Sequence, residues 1–295
     1  MARIRIMALR HSAFYTPLLL AIGGGYLEDE GLEPRYDPAR ASHDVPDGLR
    51  AGSVHVAQSA VATSFAELED GELPDVVHFA QINERDGFFI VGREPDPGFT
   101  WDRLGGAEVL VDHFFQPMAM FRYGLNRMGV DYAGLRVIDA GGVKEIDQAF
   151  RNGRGDYVHL QGPAAQQLQK DGVGHVVASV GDTIGPVAFS SLCASRDWLG
   201  SDMSRAFMRA YRKARQHATS APAQEIAALL ADFFPDVDAD VLCDTVTAYQ
   251  GLGCWTPETG ISRAAYETLL DVFQFSGRVT RRHPYETCIV PAPNT

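Results

Sequence analysis

The chain has 295 residues, 45% hydrophobic and 22% charged, and its 26 Lys and Arg against 38 Asp and Glu leave a formal net charge of −12. That length predicts two lobes with a sizeable core, and the acidity excludes a sequence-independent nucleic-acid surface, which needs clustered basic residues. The cysteines Cys193, Cys243, Cys254 and Cys288 form no CxxC pair, which argues against a zinc or redox motif and against a disulfide framework, a single bridge aside.

The first residues alternate Ile4, Ile6 and Ala8 with Arg3 and Arg5, as a strand does, and lack the apolar core and cleavage site of a signal peptide. No apolar run approaches the ~20 residues of a membrane span. The expectation is a cytoplasmic protein without membrane insertion, or a periplasmic one if a leader has been removed. After the loop His11–Tyr15, Thr16 and Pro17 begin a helix, with proline at the position where its missing N–H costs nothing. The run Gly23-Gly24-Gly25 falls about two turns after Pro17. It cannot be a dinucleotide loop, whose glycines lie between strand and helix. A kink, an early helix end or close packing is expected instead, with Gly31 as a C-terminal cap.

Strands follow at 31–36, 53–57, 76–82 and 88–93, with helices at 47–50 and 62–69 between them. This alternation predicts an α/β lobe with a largely parallel sheet. The programme then repeats: strands at 107–111, 134–138, 155–160 and 175–180, helices at 117–128, 145–152 and 164–170. The segment Leu49-Arg-Ala-Gly-Ser-Val-His-Val-Ala-Gln echoes Phe150-Arg-Asn-Gly-Arg-Gly-Asp-Tyr-Val-His at constant offset, so two lobes of like topology are expected. A return strand at 190–196, helices at 201–219, 224–234, 239–251 and 262–275, and an extended tail at 278–293 complete the chain. The late helices are expected to pack on a lobe already built.

Tyr15, Pro17, Leu18, Ala21, Gly25, Gly31-Leu32, Leu49, Gly52, Val54 to Ala57, Phe88-Phe89-Ile90-Val91, the 150–157 segment and Ala164 form a series. It resembles the type II solute-binding proteins of nitrate, sulfonate and taurine ABC transporters, and the thiamine-pyrimidine-synthase-like proteins of the same family, over roughly residues 4 to 275. The resemblance implies an α/β, two-lobed fold with a ligand cleft between lobes. Lobe 1 would comprise 1–91 and 189–295, and lobe 2 residues 92–188, with chain crossings near 89–94 and 186–190. The ligand site then lies at the carboxyl ends of the strands, where sheet physics also places it.

That rule selects the candidate site residues. His11, Ser12, Phe14 and Tyr15 precede a helix N-terminus, whose free N–H groups favour an anionic or polar atom. Phe14 or Tyr15 offers a ring to a flat ligand; the alternative makes Phe14 core and His11 a solvated turn residue. Gln58 and Ser59 end the third strand, and Asn83 and Asp86 precede the first crossing. From lobe 2 come His113, Phe114 and Gln116, then His159 and Gln161. His159, equivalent to Gln58, is a ligand donor, an acid/base group, or a structural histidine. Gly185 closes the cleft near the second crossing, or makes a plain turn. Asp112 and His113, as neighbours, point to opposite sides. His11, His113 and His159 come from separate loops without metal spacing, so no metal and no cofactor is implied.

These features and the resemblance imply a binding protein that captures a small aromatic or heteroaromatic molecule by hinge closure, with a possible ABC permease as partner. The alternative is a cytosolic biosynthetic enzyme on the same fold, pyrimidine-synthase-like or a lyase. Against pyrimidine synthase, the cysteines are single and far apart. No lysine stands in the early loops to meet pyridoxal phosphate, Lys144 being the first in the chain.

Overall fold

The alternation of strand and helix builds two five-stranded sheets in the computed structural model, which describes residues 1–294. The strands are β1 (Ala2–Ala8), β2 (Leu32–Pro38), β3 (Val56–Ser59), β4 (Val76–Asn83), β5 (Phe88–Gly92), β6 (Glu108–Leu110), β7 (Arg136–Ile138), β8 (Tyr157–Gln161), β9 (His175–Ser179) and β10 (Ser190–Ser195). The first sheet runs β2-β1-β3-β10-β4 and the second β7-β6-β8-β5-β9. In each, one strand is antiparallel to both neighbours: β10 between β3 and β4, β5 between β8 and β9. The other strands therefore point the same way, and their carboxyl ends gather along one edge.

The two sheets share one plan, as the internal echo predicts. β3 and β8 hold equivalent central places, and Gln58 and His159 are each the third residue of their strand. Where sequence and structure differ is the first crossing. Residues 88–91, expected in lobe 1, form β5 and pair with β8 and β9 of the second sheet. Phe88, Phe89, Ile90 and Val91 are all buried, so their apolar run carries no sign of which sheet covers it. The chain changes sheet between Asn83 and Phe88, and returns between Ser179 and Ser190.

Alternation of buried Ile4, Ile6 and Ala8 with exposed Arg3 and Arg5 sets the face of β1. The glycine run ends the helix Thr16–Gly23: Gly24 caps it, and Gly25 at φ +80° turns the chain into the short helix Tyr26–Asp29. A Cβ on Gly23 would lie 2.7 Å from Phe233 Cε2, so close packing also holds there. The C-terminal helices do more than cover one lobe. Ala239–Gly251 carries Tyr249, whose hydroxyl accepts from Gly162 N beyond β8 (2.8 Å) and donates to Gly87 O beside β5 (3.2 Å). Arg263–Phe275 brings Phe273 against Phe115 of the second lobe, ring centroids 5.1 Å apart. The tail is extended except for a helical turn at Tyr285–Cys288, and Ile289 bridges to His78 of β4.

The helix Asp202–Ser220 lies over the first sheet and buries Arg215 completely. Its guanidinium donates to the carbonyls of Gln81 (3.1 Å), Ile82 (2.8 Å) and Glu258 (2.8 Å), and Tyr211 donates to Gln81 O (2.6 Å). These bonds pin the end of β4 just before the crossing. Replacing the arginine strands buried carbonyls, whose lost partners cost about 1–3 kcal/mol each. Arg215→Met is expected to lower unfolding stability by about 3–5 kcal/mol, read from urea denaturation; a loss below about 1 kcal/mol would show that β4 is held by its neighbours alone.

Candidate functional site

The carboxyl ends of the parallel strands, with the starts of β5 and β10, bring residues of both sheets together. Arg10, just beyond β1, sends Nη2 to Asp112 Oδ2, just beyond β6, at 2.8 Å. Asp112 Oδ1 accepts Phe114 N (2.8 Å), so both of its oxygens are engaged. The Arg10 guanidinium also lies over the Phe114 ring, 5.0 Å from its centroid. Sequence reasoning noted Asp112 only to set aside a pairing with His113, and missed its pairing with Arg10. The signal was the repeat, since each residue stands two past an equivalent strand, β1 and β6, the second in the order of its sheet.

Ser12 caps the turn Ala13–Tyr15 by accepting from Phe14 N (3.1 Å) and donates across the junction to Gly162 O (2.9 Å). Tyr15 is buried, with Ser190 and Gln161 side chains in hydrogen-bonding reach, and burial raises its pKa. His11 is exposed; its ring nitrogens meet Tyr36 Oη (2.9 Å) and Phe233 O (2.8 Å), and it stacks on Phe234. Phe14 is wholly buried among Tyr15, Phe189 and Tyr249, so it serves as core and presents no open face to a ligand. Its carbonyl accepts from Asn83 Nδ2 (2.7 Å) and from Trp255 Nε1 (3.1 Å).

Asn83 and Gln116 are each oriented by a donor bond: Gln116 Nε2 donates to Phe189 O (2.7 Å). Their oxygens, Asn83 Oδ1 and Gln116 Oε1, are buried without a partner. Asp86 Oδ1 accepts Phe88 N (2.7 Å), while Oδ2 is also buried and unpartnered. Burial pushes the Asp86 pKa up to about 8, with the Asp112 charge adding to it. His159 lies between the rings of Phe88 and Phe121, at 4.4 and 4.8 Å, with neither nitrogen bonded. Burial depresses its pKa to about 3, so the ring is neutral at pH 7. These groups form one connected set. Phe14 touches Phe189, abuts Gly87 next to Asp86, and accepts from Asn83; Phe88 joins Asp86 to His159.

Gln58 Oε1 accepts Arg10 N (3.3 Å), and Ser59 Oγ meets Thr63 Oγ1 (3.3 Å). His113 Nδ1 bonds its own strand end at Val111 O (2.7 Å). Gly185 takes φ +82° in the second crossing. Two grooves open between the lobes. One, of about 510 Å³, is lined by Arg10, His11, Ser12, Lys144 and Gln161; the other, of about 500 Å³, by Ser59, Thr63, His113 and Phe114. The Arg10–Asp112 pair stands between them. The thiols of Cys193, Cys254 and Cys288 are buried and their pKa values raised, that of Cys288 to about 11, so they are held as thiols. Among the described residues, no helix is long and apolar enough to cross a membrane.

Residues 13–225 match the family model described as NMT1/THI5 like. A relative from Bacillus subtilis (strain 168), described as "Putative binding protein YtlA", is 28% identical over 293 residues, covering 98% of this chain and 88% of that protein. The alkanesulfonate-binding protein SsuA from Xanthomonas axonopodis pv. citri, solved bound to MOPS, aligns over 99% of both chains with a TM-score of 0.75 at 16% identity. The periplasmic nitrate-binding protein NrtA from Synechocystis PCC 6803 aligns over 90% of this chain and 75% of its own, with a TM-score of 0.65 at 16% identity. The chain thus belongs to the NMT1/THI5-like family and has the α/β type II periplasmic-binding fold that its sequence resembles.

Proposed function

We propose that this protein captures a small molecule between its two lobes and holds it by hinge closure, as the solute-binding subunit of an ABC permease or a relative of one. The observation that carries this reading is the set of bonds across the junction: Arg10 to Asp112, Ser12 to Gly162, and Tyr15 beside Gln161. Each joins a loop after a lobe 1 strand to the end of a lobe 2 strand or the loop after one, where ligands of open α/β sheets bind. Lobe 1 is then residues 1–83 with β10 and the chain beyond it, and lobe 2 residues 88–179. The crossings at 84–87 and 180–189 are the hinge. The relative described as a binding protein, and the fold shared with sulfonate- and nitrate-binding proteins, support this assignment.

An aromatic or heteroaromatic ligand needs a ring to lie on. With Phe14 in the core, Phe114 takes that place: it is 38% exposed, lines a groove and already carries Arg10 over its face. The enzyme alternative finds less support, because the thiols of Cys193, Cys254 and Cys288 are buried and protonated and His159 is a poor base.

Two outcomes are expected. In Asp112→Asn, the ion pair becomes a hydrogen bond from the Arg10 cation to a neutral amide oxygen, a loss of about 1–2 kcal/mol. The ratio of open to closed forms should rise about tenfold, seen as a larger radius of gyration in X-ray scattering with unchanged far-UV circular dichroism. An unchanged radius would remove the pair as a latch. In a thermal-shift screen of heteroaromatics, aromatic acids, alkylsulfonates and nitrate, one class should raise Tm by several degrees and be recovered chemically intact. Conversion of the stabilising compound to a product would replace the binding reading by the enzymatic one.

A further inference from the structure

The deepest part of the junction is unusual in which hydrogen-bonding partners it leaves free. Asn83 and Gln116 spend their N–H groups on the carbonyls of Phe14 and Phe189, so the amide orientation is set and only oxygens remain: Oδ1 and Oε1. Asp86 spends one oxygen on Phe88 N and leaves the other. Three side-chain oxygens are thus buried without donors, in side chains at most 4% exposed, around the contacts of Phe14 and Phe88. Leaving such a group unpaired is costly, and buried polar groups without partners call for a donor. The donors nearby are few. Arg10 Nη1 is unpartnered, but its charge is balanced by Asp112; Ser179 Oγ and His159 each offer one hydrogen, as does the Asp86 carboxyl while burial keeps it protonated.

This chemistry is the reverse of what an oxyanion needs. A sulfonate or nitrate would bring further acceptors against two amide oxygens and a carboxyl whose single hydrogen is lost above about pH 8. We propose that the ligand is an organic cation carrying N–H donors, an ammonium, amidinium or protonated amino-heterocycle, read by Asn83, Asp86 and Gln116. The inference rests on the capture reading above; Asn83, Asp86 and Gln116 lie outside the lining of both grooves, buried at and against the crossings that closure would move.

Binding then has a proton signature. In the free protein burial holds Asp86 protonated up to about pH 8, whereas an N–H cation needs it ionised. The groups around Asp86 do not obscure this. Arg10 and Asp112 neutralise each other, His159 stays uncharged, and the Tyr249 phenol and Cys254 thiol, from the C-terminal elements, have pKa values raised by burial. Below about pH 8 affinity should therefore rise with pH, up to about tenfold per unit, with close to one proton released per ligand at neutral pH. Asp86 also acts on the free protein. Its folded pKa lies above the unfolded value of about 4, so stability is highest below that value and falls as pH rises towards about 8.

The test is calorimetric titration of the full chain with benzamidinium, guanidinium, methylammonium and 4-aminopyridinium, beside methanesulfonate and nitrate, from about pH 6 to about pH 9. The expected result is binding by at least one cation, tightening with pH, no binding by either anion, and loss of the pH slope in Asp86→Asn, which keeps the acceptor for Phe88 N. If Asp86→Asn does not fold, the wild-type slope and the proton count in buffers of different ionisation enthalpy decide alone. Binding by the anions but not the cations overturns the ligand class and leaves capture standing. Cation affinity flat in pH overturns the role of Asp86. No binding by any probe, together with an unchanged radius in Asp112→Asn, overturns the capture reading itself.

Discussion

The exchange of one strand between the two sheets is the constraint on which everything else depends. Because β5 enters the second sheet and β10 returns to the first, the chain must cross the junction twice, and both crossings meet the edge where the parallel strands end. The crossings also touch each other. Val187 N donates to Glu84 O at 2.7 Å, and a Cβ on Gly181 would lie 2.4 Å from Asp86 O. Gly87 is under the same restriction, since its Cβ would fall 2.4 Å from the Phe14 ring. Glycine stands at these two places because neighbouring backbone and ring leave no room for a side chain.

Packing the crossings so tightly buries polar groups that elsewhere would be wet. Asn83, Asp86, Gln116 and His159 are all at most 4% exposed, and each would be a liability in a protein built for stability alone. Their presence is compatible with a stable fold because apolar contacts dominate around them, with Phe14, Phe88, Phe121, Phe189 and Tyr249 forming the walls. The C-terminal helices add a second tie. Tyr249 bonds both Gly162 and Gly87, and Phe273 meets Phe115, so opening the lobes must slide these contacts as well as break the Arg10–Asp112 pair. The proposed hinge motion would be bounded by those braces.

The repeat, the alternation of strands and helices within each half and the strand-end loops were legible in the sequence, because they depend on local periodicity and on turn glycines. The echo of Leu49–Gln58 in Phe150–His159 located two equivalent strands before any contact was known. What local pattern could not carry is partner choice. An apolar run such as Phe88–Val91 reads alike in either sheet. Phe14 looks the same whether it faces a ligand or the core, and only its packing on Phe189, far along the chain, decides. The pairing of Arg10 with Asp112 spans 102 residues, and Arg215 reaches β4 from 133 or more residues away. Such bonds follow from the closed topology and not from any motif around them.

Recognition and closure are coupled through those same long-range bonds. Gln116 belongs to the helix after β6, yet its amide nitrogen is held by Phe189 in the second crossing, and Asn83 at the end of β4 is held by the carbonyl of Phe14. The Gln116 oxygen is therefore aimed by the second crossing, and the Asn83 oxygen from within the first lobe. If the lobes separate as proposed, the bond from Gln116 to Phe189 would be strained, and its oxygen would lose the fixed aim that a donor reads. A ligand that satisfies all three oxygens binds the closed arrangement in preference to the open one, which is the differential affinity that population shift requires. Acceptor geometry and lobe closure are thus one equilibrium, with the crossings as its shared element.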